Sequence, residues 1–199
     1  MKDESALVVQ AQHGSEEAFT QLVEAYQTPV YNLCYRMLGE AESAEDASQE
    51  TFLRAFQHLH RYDHGRPFAT WLLSIAAHYC IDRLRRRRFS FMSLDRADDG
   101  DAPEFPDPAA LNPEGEAVRH ETREQMQGLL QQLNSMDRAA IILRYWHDCS
   151  EAEIADTLHL TVSAVKSRLH RARRELGGLW QEEGTRTSQE RRPNESPAL

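Results

Sequence analysis

Apolar residues recur along most of this chain at spacings of three and four, the period of a helix with one buried face. A short apolar run, Ala6–Ala11, closes at His13-Gly14. Ser15 then caps a helix whose first turn carries Glu16 and Glu17 and whose buried stripe is Phe19, Leu22, Val23 and Tyr26. Pro29 predicts a kink or restart, after which Val30, Leu33, Cys34, Met37 and Leu38 continue the stripe to Gly39, a C-cap. Ser43 with Asp46 forms a capping-box pattern, and Phe52, Phe56 and Leu59 make an apolar face opposite Asp46, Gln49, Glu50, Arg54 and Gln57. Pro67 suits a first helical position. The helix after it is apolar nearly all round from Trp71 to Ile81, except for the narrow stripe Ser74, His78 and Asp82, and it ends in Arg85, Arg86, Arg87 and Arg88. These elements form a small helical domain over 6–90.

No helical period survives from about 91 to 113, where Pro103, Pro106, Pro108 and Pro113 lie. Between Asp95 and Glu116 eight acids face Arg96 alone, a net charge of −7, so the segment reads as a flexible acidic linker. Helical signal returns near Glu114 with Val118, Met126, Leu129, Leu130 and Leu133, breaks at Asn134-Ser135, and resumes through Ile141, Ile142, Leu143, Tyr145 and Trp146. Ser150 and Glu153 form a second capping box before Ile154, Ala155 and Leu158. The tight turn His159-Leu160-Thr161 leads into a last helix ending at Gly177-Gly178, which is the layout of a helix-turn-helix over 114–178. The polar stretch 179–199 reads as a disordered tail. The fold class is therefore all-α: two small helical domains joined by a flexible acidic linker, the second containing a helix-turn-helix.

Charge sharpens this picture. The formal net charge is −9, yet five cations and no acid lie between Val162 and Arg174. Val162, Val165, Leu169, Ala172 and Leu176 share one stripe of that helix, and Ser163, Ser167, His170, Arg171 and Arg174 project from the other side, flanked by Lys166, Arg168 and Arg173. A solvated face normally mixes signs, so this one points to DNA. The basic cluster at 83–88, beside a loop with Tyr62 and Phe68, suits a single nucleic-acid strand, with charge for the backbone and rings for stacking.

Other classes find little support. With 40% hydrophobic and 28% charged residues the composition is that of a soluble protein, and no run of 18 apolar residues is present. Met1–Glu4 is too polar to begin a signal peptide, so the expected location is the cytoplasm, without membrane insertion. Cys34, Cys80 and Cys149 lack metal or disulfide spacing and read as buried free thiols. Walker, GxGxxG, HExxH and nucleophile-elbow motifs are missing, so no enzyme is expected. His58, His60, His64, His78 and His147 lack a ligand set at metal spacing, so neither metal nor cofactor is expected. Asp46 and Glu50, four apart, read as a partner-binding face rather than a catalytic pair.

The runs D-A-S-Q-E-T-F-L-R-A-F (46–56), P-F-A-T-W-L-L-S-I-A (67–76) and D-R-L-R-R-R-R (82–88) closely resemble the second conserved domain of bacterial sigma factors, most of all the compact extracytoplasmic-function (ECF) group. The helix-turn-helix resembles their fourth conserved domain. The resemblance implies an alternative sigma factor that binds core RNA polymerase and promoter DNA, duplex and melted, with an anti-sigma factor as a further partner. Asp46, Gln49, Glu50, Leu53 and Arg54 would dock on the clamp coiled coil of the largest polymerase subunit. Tyr62, Phe68, Trp71, Ser74 and His78, with Arg83, Arg85 and Arg86, would engage the melted minus-ten element. Ser163, Lys166, Ser167, Arg168, His170, Arg171, Arg173 and Arg174 would bind the minus-thirty-five element, with Arg171, Ser167 and His170 at base edges. By the same resemblance the linker would thread the polymerase cleft. Asn134-Ser135 departs from the family's usual Leu-Pro, His78 stands where many relatives have Asn, and His159 occupies a turn position that favours positive φ. The runner-up reading is a stand-alone helix-turn-helix regulator with an N-terminal sensing domain.

Overall fold

A computed structural model describes residues 4–91 and 113–190, with side-chain surroundings over 4–88 and 122–182. All regular elements among them are helical. Helices α1 (Glu4–Gln12), α2 (Glu16–Leu38), α3 (Ala41–His58) and α4 (Phe68–Phe91) form a first group, with a 3-10 turn at Leu59–Arg61. The second group comprises α5 (Pro113–Gln132), α6 (Ser135–Trp146), α7 (Glu151–Leu158) and α8 (Val162–Glu190). The acidic run at 95–112 and the last residues of the tail, 191–199, lie outside the described residues.

Several local expectations hold. Ser15 Oγ accepts from the Ala18 amide at 3.2 Å to start α2. Gly39 ends it in the left-handed region (φ 84°), its N–H donating to Tyr35 O at 2.8 Å. Ser150 and Glu153 cap α7 reciprocally, at 3.2 and 2.7 Å. His159 takes φ 53° and ψ 46° at the turn after α7.

Others need correction. Pro29 lies inside an unbroken α2, at the cost of one intrahelical N–H donor. Ser43 is not a cap: α3 begins at Ala41, and Ser43 is buried in its first turn, donating to Glu40 Oε2 at 2.8 Å. The buried face of α3 is Ala44, Ala47, Thr51 and Ala55, while Phe56 is 51% exposed. Small side chains let α3 lie close on α2 and α4, and Thr51 Oγ1 donates to Ala47 O at 2.6 Å instead of competing for a partner elsewhere. Helix α8 continues through Gly177-Gly178 to Glu190, so the stretch from 179 to 190 is helical. Two interior glycines cost only about 1 kcal/mol each, and Pro193 is the first proline to follow.

The two groups are packed on one another. The last carbonyls of a helix have no partner within it, and those of α2 are met from the second group. Gln127 Nε2 donates to Tyr35 O at 3.1 Å and Arg36 O at 3.3 Å, Gln131 Nε2 donates to Arg36 O at 3.2 Å, and Arg138 Nη1 donates to Met37 O. The approach is close: a Cβ at Gly39 would lie 3.0 Å from the Gln131 amide. The Arg36 guanidinium sits 5.0 Å over the Trp146 ring, and the His78 and His159 rings stack at 4.7 Å. All three cysteines are free and buried, and the neighbouring Cys34 thiol helps push Cys80 well up.

His147, next to Trp146 at this contact, has a buried Nε2 with no hydrogen-bond partner among the described residues. Burial, with the Arg36 charge nearby, pushes its imidazole down to about 4. The unfolded chain takes up that proton near pH 6.5 and the folded chain only near 4, so between these values the unfolded state binds more protons and stability is lost as the pH is lowered. Allowing for its partial exposure, His147 should account for about 2 kcal/mol of stability lost between pH 7 and pH 4.5. Urea melts at the two pH values check this, and His147→Gln should lose that much less.

Candidate nucleic-acid interface

Thr161 Oγ1 accepts the Ala164 amide at 3.2 Å and starts α8. Val165, Leu169 and Ala172 are buried against α6 and α7, which turns Ser163, Lys166, Ser167, His170, Arg173 and Arg174 outward. Ser167 Oγ donates to Ser163 O at 3.1 Å, Lys166 lies 3.6 Å from Glu151, and Arg173 Nε donates to Leu169 O at 3.1 Å. Arg168 and Arg171 are held differently, by Asp137 on α6. Arg168 Nη1 donates to Asp137 Oδ1 at 2.7 Å. Arg171 grips the same carboxylate side-on, Nε to Oδ2 at 2.9 Å and Nη2 to Oδ1 at 3.1 Å. Asn134 caps α6 by accepting the Asp137 amide at 3.0 Å and donating to its Oδ2 at 2.7 Å. Burial alone would raise the Asp137 carboxyl, but its bonds to Arg171, Arg168 and Asn134 hold it below the usual range. Asp137 did not stand out in the sequence, although an acid three residues after Asn134 is a recognisable cap pattern.

The rings expected to stack on a single strand are packed on each other. Tyr62 and Trp71 lie 5.2 Å apart, Phe68 lies 5.6 Å from each, and Tyr26 lies 5.5 Å from Phe68. Tyr62 and Trp71 are 8% exposed and Phe68 2%, so Phe68 has no face to offer a base, contrary to the sequence reading. The loop is pinned to α1: Gln12 Nε2 donates to Leu59 O at 2.9 Å and Tyr62 O at 3.1 Å, and the His64 ring bonds Gln12 Oε1 at 2.7 Å. Outside this cluster a cavity of about 440 Å³ is lined by Glu4, His64, Arg66 and Pro67 among others. Ser74 Oγ donates to Trp71 O at 2.7 Å, and His78 Nδ1 is 2.8 Å from Ser74 O. The stacking on His159 therefore brings the turn of the helix-turn-helix onto the Ser74–His78 stripe.

Of the α4 cations, Arg83 lies 3.5 Å from Asp46 and 3.2 Å from Ser43 Oγ, and Arg85 lies 3.0 Å from Asp82. Arg86 is exposed. Arg87 pairs with Glu40 at 3.0 Å, which holds that carboxyl low. A surface pocket of about 370 Å³, lined by Arg54, Tyr79, Asp82, Arg83, Arg86 and Arg87, joins this cluster to α3, with Arg54 lying 4.8 Å over the Tyr79 ring. Tyr79 is a member that sequence spacing did not single out.

On the outer face of α3, Asp46, Gln49, Leu53 and Arg54 are exposed and Glu50 is half-buried, ion-paired to Arg54 at 2.7 Å. Leu53 and Phe56 are each 51% exposed, so this face carries two large apolar side chains among its charges. Phe56 is an addition to the predicted set, turned out because Ala55 takes the buried position beside it.

Residues 22–90 match the model for Sigma-70 region 2 and residues 123–176 the model for Sigma-70, region 4. The chain is 34% identical over 172 residues to the ECF RNA polymerase sigma factor SigW of Bacillus subtilis, covering 85% of this chain and 92% of that protein. It is 32% identical over 182 residues to the RNA polymerase sigma-H factor of Pseudomonas aeruginosa, covering 86% and 91%. The solved structure of CnrH in complex with the cytosolic domain of CnrY superposes with a TM-score of 0.67 at 26% identity, covering 90% of this chain and 99% of that one.

The burial of Phe68 has a measurable consequence. Phe68→Ala should cost about 3–5 kcal/mol in denaturant melts, a core-cavity effect. A fully stable variant impaired only in binding melted DNA would contradict the packing described here.

Proposed function

The chain belongs to the ECF family of RNA polymerase sigma factors, and from that membership we propose how its surfaces share the work of promoter recognition. It is an alternative sigma factor, a transcription initiation factor that joins core RNA polymerase and directs it to promoter DNA. In our reading the N-terminal unit over 6–90 docks on the polymerase clamp and engages the minus-ten element. The acidic segment over 91–113 links the units, the unit over 114–178 reads the minus-thirty-five element, and 179–199 is an appendage. The protein acts in the cytoplasm, has no catalysis of its own and is controlled by an anti-sigma partner.

The observation that carries this reading is the outer face of α3. Large apolar side chains rimmed by charge mark an interaction site rather than a solvated helix, and Leu53 and Phe56 lie beside Asp46, Gln49, Glu50 and Arg54 there. For the minus-thirty-five box, Lys166, Arg168, Arg173 and Arg174 supply backbone contacts and Ser163, Ser167, His170 and Arg171 face the groove. For the minus-ten box, the half-buried Ser74–His78 stripe, the loop cavity and Arg83, Arg85 and Arg86 take the place first given to the aromatic rings.

The two boxes are centred some 25 base pairs apart by their names, about 85 Å at 3.4 Å per pair. His78 and His159 are in ring contact. Gripping both boxes at once therefore requires the helical groups to separate, and core polymerase is the scaffold that would hold them so.

Gel filtration with core polymerase tests the assignment. The full chain should co-elute, and Leu53→Asp should weaken association by about tenfold or more, as loss of a central apolar contact does. A chain that ignores core polymerase yet binds duplex tightly by itself is the stand-alone regulator instead.

A further inference from the structure

Among the described residues Asp137 is the one fully buried carboxylate that reaches the DNA-facing helix, and its environment suggests a purpose beyond stability. It is 0% exposed, so it cannot touch DNA. Its acceptor capacity is filled by Asn134 Nδ2 at 2.7 Å, Arg168 Nη1 at 2.7 Å, and Arg171 Nε and Nη2 at 2.9 and 3.1 Å. The grip on Arg171 is side-on. It uses the Nε–H and one Nη2–H, and it leaves the end-on edge, Nη1 with the second Nη2–H, unengaged on a side chain that is 58% exposed. That end-on edge is a pair of parallel donors, the pattern that matches guanine O6 and N7 in the major groove.

We propose that Asp137 is a positioning residue for promoter reading: it fixes Arg171 side-on so that the remaining edge of the guanidinium is pre-organised to grip a guanine in the minus-thirty-five element. The inference rests on the sigma-factor reading above and deepens it, naming the base and the residue that aims the reader. An unrestrained arginine on a helix surface surrenders several rotatable bonds when it binds. Here that ordering is already done by a carboxylate whose own position is set by the cap of α6. Arg168, tied to the same oxygen, is half-buried and keeps only part of its fork for a neighbouring phosphate.

The experiment is run-off transcription by holoenzyme, reconstituted from core polymerase and the full chain, on a library randomised across the minus-thirty-five element. The wild type should favour guanine at one pair that depends on Arg171. Arg171→Lys, at an exposed site, should keep backbone attraction but lose that preference by roughly tenfold, because an ammonium cannot make the two parallel bonds. Asp137→Asn, nearly isosteric, should lose the same preference and leave the other positions within about twofold, and in the double variant the losses should not add. A lowering uniform across all positions would mean that Asp137 serves only the fold. An unchanged profile in Arg171→Lys would overturn the proposal even if the Asp137 variant proved too unstable to assay. A wild type that initiates nowhere, unlike one that initiates with an unaltered profile in both variants, would strike the sigma-factor reading itself.

Discussion

A buried guanidinium surrounded by carbonyls sets the geometry of this molecule. Arg138 is 5% exposed, and among the described residues its acceptors are Met37 O, Gln131 Oε1, Gln131 O and Leu133 O. Two of these lie at the ends of α2 and α5, where aligned peptide dipoles leave partial negative charge. The cation is thus met by helix ends rather than by a carboxylate, and burial pushes it down to about 10, still charged at neutral pH. Its neighbour Asp137 points the other way, toward α8, since adjacent helical residues do not share a face. One turn of α6 therefore fixes both the contact between the helical groups and the arginines of the recognition helix.

That turn explains which parts of the structure were legible in advance. Caps with a side chain suited to the job and an apolar run behind them, Ser15 and Ser150, formed as read. Ser43 offered the same local signature, but Ala41 and Ala44 are buried too, and packing them starts the helix earlier and draws the serine inside. Phe56 fits the apolar period, but in a tight three-helix contact Ala55 beside it takes the interior because its small side chain permits closer approach. Tyr62, Phe68 and Trp71 were assigned to DNA on type and place, and their mutual packing could not be inferred from spacing. Asp137 and Arg138 were the hardest to foresee, because Arg168, Arg171 and Met37, the partners that give them their roles, lie 31 to 101 residues distant.

Electrostatics here are largely spent within the protein. Arg83, Arg85, Arg87, Lys166, Arg168 and Arg171 all have acidic partners within 4.0 Å. The exposed pairs of Arg83, Arg85, Arg87 and Lys166 are weak, roughly 0–1 kcal/mol, and readily exchanged for phosphate, whereas Arg168 and Arg171 are held by the fully buried Asp137, and while formed all of them mute the cationic surface. Together with a net charge of −9 they make long-range attraction to DNA poor.

The ring contact between His78 and His159 can be restated as a population. If the packed and separated arrangements exchange, only the separated fraction can bridge two distant boxes, and the observed affinity is the intrinsic one scaled by that fraction. Every tenfold excess of the packed form then subtracts a decade of affinity without altering a single residue that touches DNA, and a substitution at Gln127 or Gly39, far from either box, would shift promoter occupancy through that ratio alone.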